Sequence, residues 1–240
     1  MGPHFPLGEI ALGLYIHIPW CISRCNYCVF YSLAFSRRGF EQYYNILRQE
    51  KELYHQYFDR PLKSVYFGGG TPSLLSASQI NGLLKGLPLA EACEITLEIN
   101  PIQISPAFIQ ELKQSPVNRL SLGIQSFDNY ELKLLSRKHR AEDIPAKVKL
   151  LLDAGYSNLS GDLLYGIPGA KRQQNRDNLL RILDLELPHL SCYLLEIEDN
   201  SPLAALRDKV PADEELAEMY EDIRLLSHQA GLKQYEISNF

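Results

Sequence analysis

The stretch PWCISRCNYCVFY, residues 19–31, places three cysteines within eight positions, at Cys21, Cys25 and Cys28. It directly follows GLYIHI (13–18), an apolar run typical of a β-strand, so the cysteines are expected in the loop that leaves this strand. Three thiolates this close together can bind zinc or an iron–sulfur cluster. In a four-iron cluster, three protein ligands leave one iron open, and an open coordination position indicates chemistry rather than structure.

Zinc is the alternative for the same cysteines. His17 lies four residues before Cys21 and could complete a Cys3His site in a zinc-binding module. The alternation of a strand, however, places His17 on the same face as Tyr15. The cysteines by themselves leave cluster and zinc both open.

Composition narrows the class of protein. The chain has 240 residues, of which 45% are hydrophobic, which is enough for one folded domain over 1–240. The formal net charge is −5 and no basic cluster stands out, which argues against nucleic acid as the main partner. No apolar run is long enough for a transmembrane segment, and residues 1–13 do not resemble a signal peptide, so a cytoplasmic location is expected.

The five cysteines argue against a disulfide framework, because their number is odd and three of them cluster. Cys93 and Cys192 lie singly in apolar surroundings and are expected to be small buried side chains.

Short β-branched and aromatic runs alternate with longer amphipathic stretches along the chain, which predicts βαβ units and a parallel sheet. Strands are predicted at 13–18, 64–69, 94–100, 119–125, 158–166 and 189–198. Helices are predicted at 39–58, 76–87, 105–115, 173–186 and 213–230, with two short pieces within 128–155.

Several predicted strands end in polar or glycine-rich segments, namely GGGTPS, NP, QSFD and GIPG. Because the loops at the carboxyl ends of parallel strands lie on one face, these segments should converge on one site. GGGT (68–71) is a weak signal alone, since glycines also occur in ordinary turns. Its position after a strand, downstream of the cysteine loop, favours a ligand-binding role.

The spacing C-x3-C-x2-C, preceded by LYIHIPW and joined by YFGGGTPS, resembles the radical S-adenosylmethionine (radical SAM) superfamily. Within it, RLSLGIQSFDNYELKLLSRKH, DLLYGIPG and QYEISNF resemble the branch that contains oxygen-independent coproporphyrinogen III oxidase and the heme chaperones called HemW. The resemblance runs from about residue 13 to residue 240. It implies an α/β fold, a partial (β/α)6 barrel without the C-terminal domain of the family.

The resemblance implies that Cys21, Cys25 and Cys28 bind three irons of a [4Fe-4S] cluster while SAM chelates the fourth. An electron donor would then reduce the cluster, and SAM would be cleaved to methionine and a 5'-deoxyadenosyl radical. It assigns further residues to SAM or to a second ligand. These are Gly69, Gly70, Thr71, Glu98, Gln125, Arg137, Asp162, Tyr15 and Tyr27.

Some of these assignments have simpler alternatives. Arg137 belongs to the charged run SRKHR, which would be solvated anyway, and Tyr15 and Tyr27 could be packing residues. Glu98 lies between Leu97 and Ile99, where a carboxylate requires partners such as ribose hydroxyls.

The residue two positions after the third cysteine distinguishes the oxidases of this branch from its chaperone-like members. Oxidases of this type carry a fourth cysteine there, whereas this chain has Phe30. This disfavours coproporphyrinogen III dehydrogenation in porphyrin biosynthesis, the alternative function, and favours the chaperone-like members, which bind heme and pass it to acceptor proteins. In full-length relatives, YEISNF is followed by a histidine-containing heme motif, whereas this sequence ends at Phe240, as expected either for a truncated form or for a natural short member.

Overall fold

A parallel sheet with helices packed on one of its faces makes up most of the structure, a computed structural model that describes residues 11–240. Residues 1–10, which hold most of the segment compared with signal peptides, lie outside the described residues. The strands are β1 (Leu12–Ile18), β2 (Trp20–Cys21), β3 (Leu33–Ala34), β4 (Leu62–Gly69), β5 (Leu89–Ile99), β6 (Arg119–Gln125), β7 (Leu159–Tyr165) and β8 (His189–Leu194). The helices are α1 (Arg37–Leu53), α2 (Ala77–Leu84), α3 (Pro106–Leu112), α4 (Asn129–Leu134), α5 (Ile144–Asp153), α6 (Arg172–Leu183) and α7 (Asp213–Gln229).

Six strands form one sheet in the order β1-β4-β5-β6-β7-β8, and every neighbouring pair is parallel. Within residues 11–240, β1 and β8 do not pair with each other, so the sheet is an open, partial barrel. The predicted α/β fold with six βα units is therefore confirmed. The helices among residues 11–240 are too short or too polar to cross a lipid bilayer.

The two faces of the sheet differ in chemistry because side chains alternate along each strand. One face packs against the helices and is built from buried apolar side chains: Ile16, Ile18, Val65, Phe67, Ile95, Leu97, Ile99, Leu120, Leu122, Ile124, Leu159, Leu163 and Leu190. The strand register aligns polar and aromatic side chains on the other, inner face: Tyr15, His17, Tyr66, Thr96, Glu98, Ser121, Asp162 and Ser191. The hydrophobic core thus lies outside the barrel, and the inner face is left for a polar ligand.

Four helices begin at side chains that accept hydrogen bonds from the first free backbone N–H groups. Ser36 starts α1, Ser76 starts α2, Ser105 starts α3 and Asp128 starts α4. These caps fix where the chain turns back after a loop at the carboxyl end of the sheet.

Several boundaries differ from the prediction. β5 begins at Leu89 instead of residue 94, because Leu89 pairs with Leu62 ahead of a register shift in β4. β8 ends at Leu194 instead of residue 198, and a 3-10 helix follows at Pro202–Lys209. The short pair β2–β3, which was not predicted, lies within the segment around the cysteines.

The last residues of the chain cover the outer edge of β8. The backbone N–H groups of Leu190 and Phe240 each donate to the carbonyl of the other residue, at 3.1 and 2.9 Å. The N–H of Cys192 donates to the carbonyl of Ser238 at 2.8 Å. Phe240 is buried, so QYEISNF is part of the fold.

A buried carboxylate joins α6 to α7. Asp222 accepts two hydrogen bonds from Arg172, at 2.7 and 2.9 Å, and lies 3.5 Å from Arg176. These hydrogen bonds and the two guanidinium charges lower the pKa of Asp222, although burial opposes them.

We expect Asp222→Asn to lower the free energy of unfolding by about 2 kcal/mol at neutral pH, the usual worth of hydrogen bonds to a charged group. Because the pKa of Asp222 is lowered in the folded state, this stabilisation is present above the ordinary aspartate pKa, and it is lost as the pH falls through the folded-state value. Urea unfolding at several pH values measures both effects. Glu221→Gln, which changes a neighbouring exposed carboxylate, is the control, and an equal loss in both variants would contradict the expectation.

Candidate functional site

The carboxyl ends of β1 and β4 bring the glycine loop against the cysteine loop. Ile18 pairs with Gly69, and the N–H of Gly70 continues the ladder by donating to the carbonyl of Ile18 at 2.7 Å. A Cβ at Gly70 would lie 2.8 Å from the Sγ of Cys21, and Gly69 has a φ of +118°. Both glycines are therefore required by the backbone, because a side chain would collide with the cysteine loop or strain the turn.

The cysteine loop is closed by the pair β2–β3. Leu33 donates its N–H to the carbonyl of Pro19 at 2.6 Å, and Phe35 donates to that of Cys21 at 2.9 Å. Between them, the N–H of Cys28 donates to the carbonyl of Cys25 at 3.2 Å, so the chain turns between the second and third cysteines. These backbone hydrogen bonds hold the cysteine loop in a defined conformation.

The end of α4 holds this loop from the far side of the barrel. Asn26 donates its backbone N–H to the carbonyl of Leu135 at 3.3 Å and its side-chain amide to that of Leu134 at 2.9 Å. The hydroxyl of Ser201 donates to the carbonyl of Asn26 at 2.8 Å. Segments far apart in sequence therefore set the position of the three thiols.

Arg137 points into the site. Its guanidinium donates to the Oδ1 of Asn100 at 2.6 Å and to the carbonyl of Gly123, and its Nη1 lies 3.5 Å from the Sγ of Cys25. It therefore ties the ends of β5 and β6 to the cysteine loop. The charged run SRKHR was expected to be solvated. Lys138 and Arg140 of this run are exposed, but Arg137 is partly buried and points into the site.

Two observations fit a group bound at the three cysteines. Burial raises the pKa of the Cys28 thiol, and the adjacent Cys25 and Cys21 raise it further, so three thiolates here need a compensating positive charge. The Nε of Arg137 is buried without a hydrogen-bond partner, and a bound anionic group would satisfy it. The irons of an iron–sulfur cluster would supply the positive charge that the thiolates need. A carboxylate bound beside the cluster could accept a hydrogen bond from the Nε of Arg137.

The zinc alternative finds no geometric support in the described part of the chain. His17 forms hydrogen bonds to Tyr15 through Nδ1, at 3.0 Å, and to the carbonyl of Tyr31 through Nε2, at 3.3 Å. Among residues 11–240, no three histidine, cysteine or acidic side chains are grouped around a point that one metal ion could occupy.

Glu98 lies on the inner face of β5 and is held in place from β4. The Tyr66 hydroxyl donates to its Oε1 at 2.9 Å, and the N–H of Gly69 donates to its Oε2 at 3.1 Å. Burial raises the pKa of Glu98, while these two donors lower it. Each carboxylate oxygen keeps a lone pair for a ligand such as a ribose hydroxyl.

Asp162 lies on the inner face of β7, where the Ser121 hydroxyl approaches both carboxylate oxygens at 3.1–3.2 Å. Burial raises the pKa of Asp162 to about 7, Ser121 opposes this shift, and the charge of Glu98 adds to it. Burial also raises the pKa of Tyr27, which lies within the electrostatic influence of Arg137, the thiols and Asp162. Tyr27 packs against the apolar cluster that contains Leu135 and Leu164.

The other residues predicted for the site are Gln125, Thr71 and Tyr15. Gln125 ends β6 with a φ of +71°, a strained conformation for a residue other than glycine, and such strain is common at binding sites. Its side-chain nitrogen would lie 3.0 Å from a Cβ at Gly123. Thr71 is buried beside Gly70, and Tyr15 is 56% exposed with its ring stacked on Tyr66.

The structure places the twelve predicted residues on the inner face of the strands, at their carboxyl ends or in the segments that follow them. It adds Tyr66, Asn100 and Ser121, which bond to Glu98, Arg137 and Asp162 and were not predicted. Tyr66 lies two positions before Gly68 in VYFGGGT, and the alternation of its strand would have placed it on the face opposite the apolar Val65 and Phe67.

The sequence profile described as the radical SAM superfamily matches residues 15–181. The chain belongs to the radical SAM superfamily. Membership of the radical SAM superfamily implies a [4Fe-4S] cluster and SAM as cofactors, which agrees with the resemblance of the cysteine and glycine motifs. The match spans the strands from β1 to β7 and most of α6.

Radical SAM relatives of this chain include proteins named heme chaperone HemW. That of Escherichia coli is 36% identical over 235 residues, which are 95% of this chain and 62% of that protein. That of Lactococcus lactis is 35% identical over 234 residues, 94% of this chain and 61% of that protein. The chain therefore spans about three fifths of the length of these curated relatives.

A solved radical SAM structure shows the same fold. The coproporphyrinogen III oxidase HemN of Escherichia coli superposes with a TM-score of 0.85 at 25% identity. The superposition covers 96% of this chain and 55% of the oxidase chain.

We expect Asp162→Asn to stabilise the protein at alkaline pH by about 1–2 kcal/mol, because an ionised Asp162 is disfavoured in its buried position. The pKa is about 7 in the folded state, above the ordinary value, so the stability that this residue contributes is present at low pH. That stability is lost as the pH rises through the folded-state value. Urea unfolding from pH 4 to pH 9 should show the advantage of Asp162→Asn growing with pH.

The exposed Asp153, which pairs with Lys149, supplies the control Asp153→Asn. A difference between Asp162→Asn and wild type that is the same at every pH would contradict the expectation.

Proposed function

We propose that this chain binds a [4Fe-4S] cluster through Cys21, Cys25 and Cys28, binds SAM beside it on the inner face, and serves in heme binding and transfer. The observation that supports this most is the closure of the cysteine loop against two fixed partners. Gly70 leaves room for Cys21 on one side, and Arg137 approaches Cys25 on the other.

The inner face offers charges that suit SAM, which carries a positive sulfonium and an amino acid group. Glu98 and Asp162 are carboxylates facing the interior, and Glu98 is oriented to accept hydroxyl donors. Arg137 has a buried Nε–H without a protein partner, which suits a carboxylate oxygen. The backbone N–H of Gly69 already donates to Glu98, so this amide orients Glu98 and is not available to SAM.

Each residue then has a role in binding or orientation. A bound and reduced cluster would supply the electron for reductive cleavage of SAM. Gly70 and Thr71 shape the wall beside Cys21, and Tyr15, 56% exposed, covers the rim. Tyr27, Gln125 and Asp162 line the side nearest β6 and β7, where a second ligand would lie.

Heme handling is proposed from the relatives named heme chaperone, which are 35–36% identical to this chain. Phe30, 68% exposed, occupies the position at which the oxidases carry a fourth cysteine. An electron donor, a heme-accepting protein and a cytoplasmic location belong to the same proposal.

Oxidation of coproporphyrinogen III is the second candidate, since HemN superposes with a TM-score of 0.85. The chain is 25% identical to that oxidase, against 35–36% to the proteins named heme chaperone, and Phe30 cannot supply a thiol. These two facts make the oxidase the weaker candidate.

We expect Cys25→Ala to abolish cluster assembly, because the cluster would keep only two of its three thiolate ligands. Iron and acid-labile sulfide, measured after anaerobic reconstitution, should fall from four of each per chain to near zero, and SAM binding should be lost with them. The matched control is Cys93→Ala, which removes a buried thiol from the core. A full cluster in Cys25→Ala would contradict the proposed ligand set.

Heme binding is tested separately by titrating heme into the reconstituted protein. We expect saturation at one heme per chain and no conversion of coproporphyrinogen III in the presence of SAM and a reductant. The same titration with urea-unfolded protein controls for nonspecific association. Absence of saturable binding would remove heme from the proposal and leave the cluster and SAM, whereas turnover of coproporphyrinogen III would favour the oxidase.

A further inference from the structure

Tyr66 is the closest polar partner of Glu98 that comes from another strand. Its hydroxyl lies 2.9 Å from Oε1, and its ring stacks on Tyr15 with the centroids 6.0 Å apart. Packing against Gly68 fixes the ring further, because a Cβ at Gly68 would lie 2.9 Å from Tyr66 and 2.8 Å from Tyr15. The hydroxyl therefore has little freedom to leave Glu98.

The donor and acceptor roles in this pair are fixed by chemistry. Burial and the charge of Glu98 raise the pKa of Tyr66, so the phenol keeps its proton and donates. The other oxygen of Glu98 accepts the N–H of Gly69. One donor thus comes from a side chain and the other from the glycine loop, which together orient the carboxylate plane.

We propose that Tyr66 is a positioning residue for SAM binding, which holds the Glu98 side chain in its carboxylate form and aims it at the inner face. The proposal rests on the proposed contact between Glu98 and SAM. It assigns no contact between Tyr66 and SAM itself.

Removal of the Tyr66 hydroxyl should act through the ionisation of Glu98. Burial already raises the pKa of Glu98, and the Tyr66 hydrogen bond lowers it, so its loss raises the pKa further. Glu98 would then be protonated, and a weaker acceptor for hydroxyl groups, at higher pH than in the wild type. SAM affinity should therefore become more sensitive to acid.

Other titratable groups face Glu98 and stay the same in all variants compared. They are His17 and Tyr15 of β1, Asp162 of β7 and Tyr193 of β8. Because SAM itself also titrates, each variant is compared with the wild type at the same pH.

The experiment measures the dissociation constant of SAM for reconstituted protein between pH 5.5 and pH 9. In Tyr66→Phe we expect the loss of SAM affinity on acidification to begin at higher pH than in the wild type. SAM should bind about 10-fold more weakly in that acidic range, as expected for the loss of a hydrogen bond to a charged group, and within about 2-fold of wild type at pH 9. Cluster content should be unchanged, because Tyr66 bonds to none of the cysteines.

Two further variants make the result specific. Tyr165→Phe removes a hydroxyl from a buried tyrosine of β7 that stacks on Tyr220 of α7, and it should leave the SAM profile unchanged. Glu98→Gln should bind SAM weakly, and its affinity should not fall further in the pH range where Glu98 would be protonated in the wild type. Adding Tyr66→Phe to Glu98→Gln should cause no further loss of affinity.

The outcomes separate the inference from the function on which it rests. If Glu98→Gln binds SAM like the wild type, the proposed contact of Glu98 is wrong. If Glu98→Gln weakens binding while Tyr66→Phe matches the wild type at every pH, only the role of Tyr66 is wrong. A loss in Tyr66→Phe that is equal at all pH values, or that persists in the Glu98→Gln background, would also overturn that role.

Discussion

β1 and β4 pair in parallel so that Ile18 lies opposite Gly69, and the rest of the site depends on this register. The segments that leave the two strands start side by side, one carrying the cysteines and the other the glycines. The hydrogen bond from the N–H of Gly70 to the carbonyl of Ile18 extends the pairing of β1 and β4 by one residue, which brings Gly70 against the Sγ of Cys21. A shift by one residue would turn Tyr66 away from Glu98 and place apolar side chains on the inner face.

A second constraint is the balance of charge within the barrel. Glu98, Asp162 and three thiols face a region into which Arg137 points, and the guanidinium of Arg137 is shared among Cys25, Asn100 and Gly123. Burial raises the pKa of both carboxyl groups, so their ionisation on the inner face creates electrostatic strain. A cationic ligand and an iron-containing group would relieve that strain, and binding energy and ionisation are therefore linked in this site.

The sequence was sufficient to predict the six βα units and the convergence of their loops, because strand and helix periodicities are local and parallel strands align their carboxyl ends. The structure places the twelve predicted site residues on the inner face or in the segments that follow the strands, and their roles as ligands stay predictions. The orientation of Arg137 could not be predicted, since it depends on the turn at Ser136, which has a φ of +59° within a charged run. The pairing of β2 with β3 could not be predicted either, because strands of two residues produce no periodic pattern in the sequence. Tyr66 was missed because its partner Glu98 is 32 residues away in sequence.

The antiparallel addition of residues 238–240 to β8 has a consequence for the behaviour of the chain in a crowded solution. An open barrel presents unpaired strand edges, and an unpaired edge is a template on which another molecule can add its own strand. The hydrogen bonds from Leu190 and Cys192 to the last residues occupy the donors of one such edge within the same molecule. Residues 238–240 thus occupy backbone groups of β8 with which a strand of another molecule could otherwise pair.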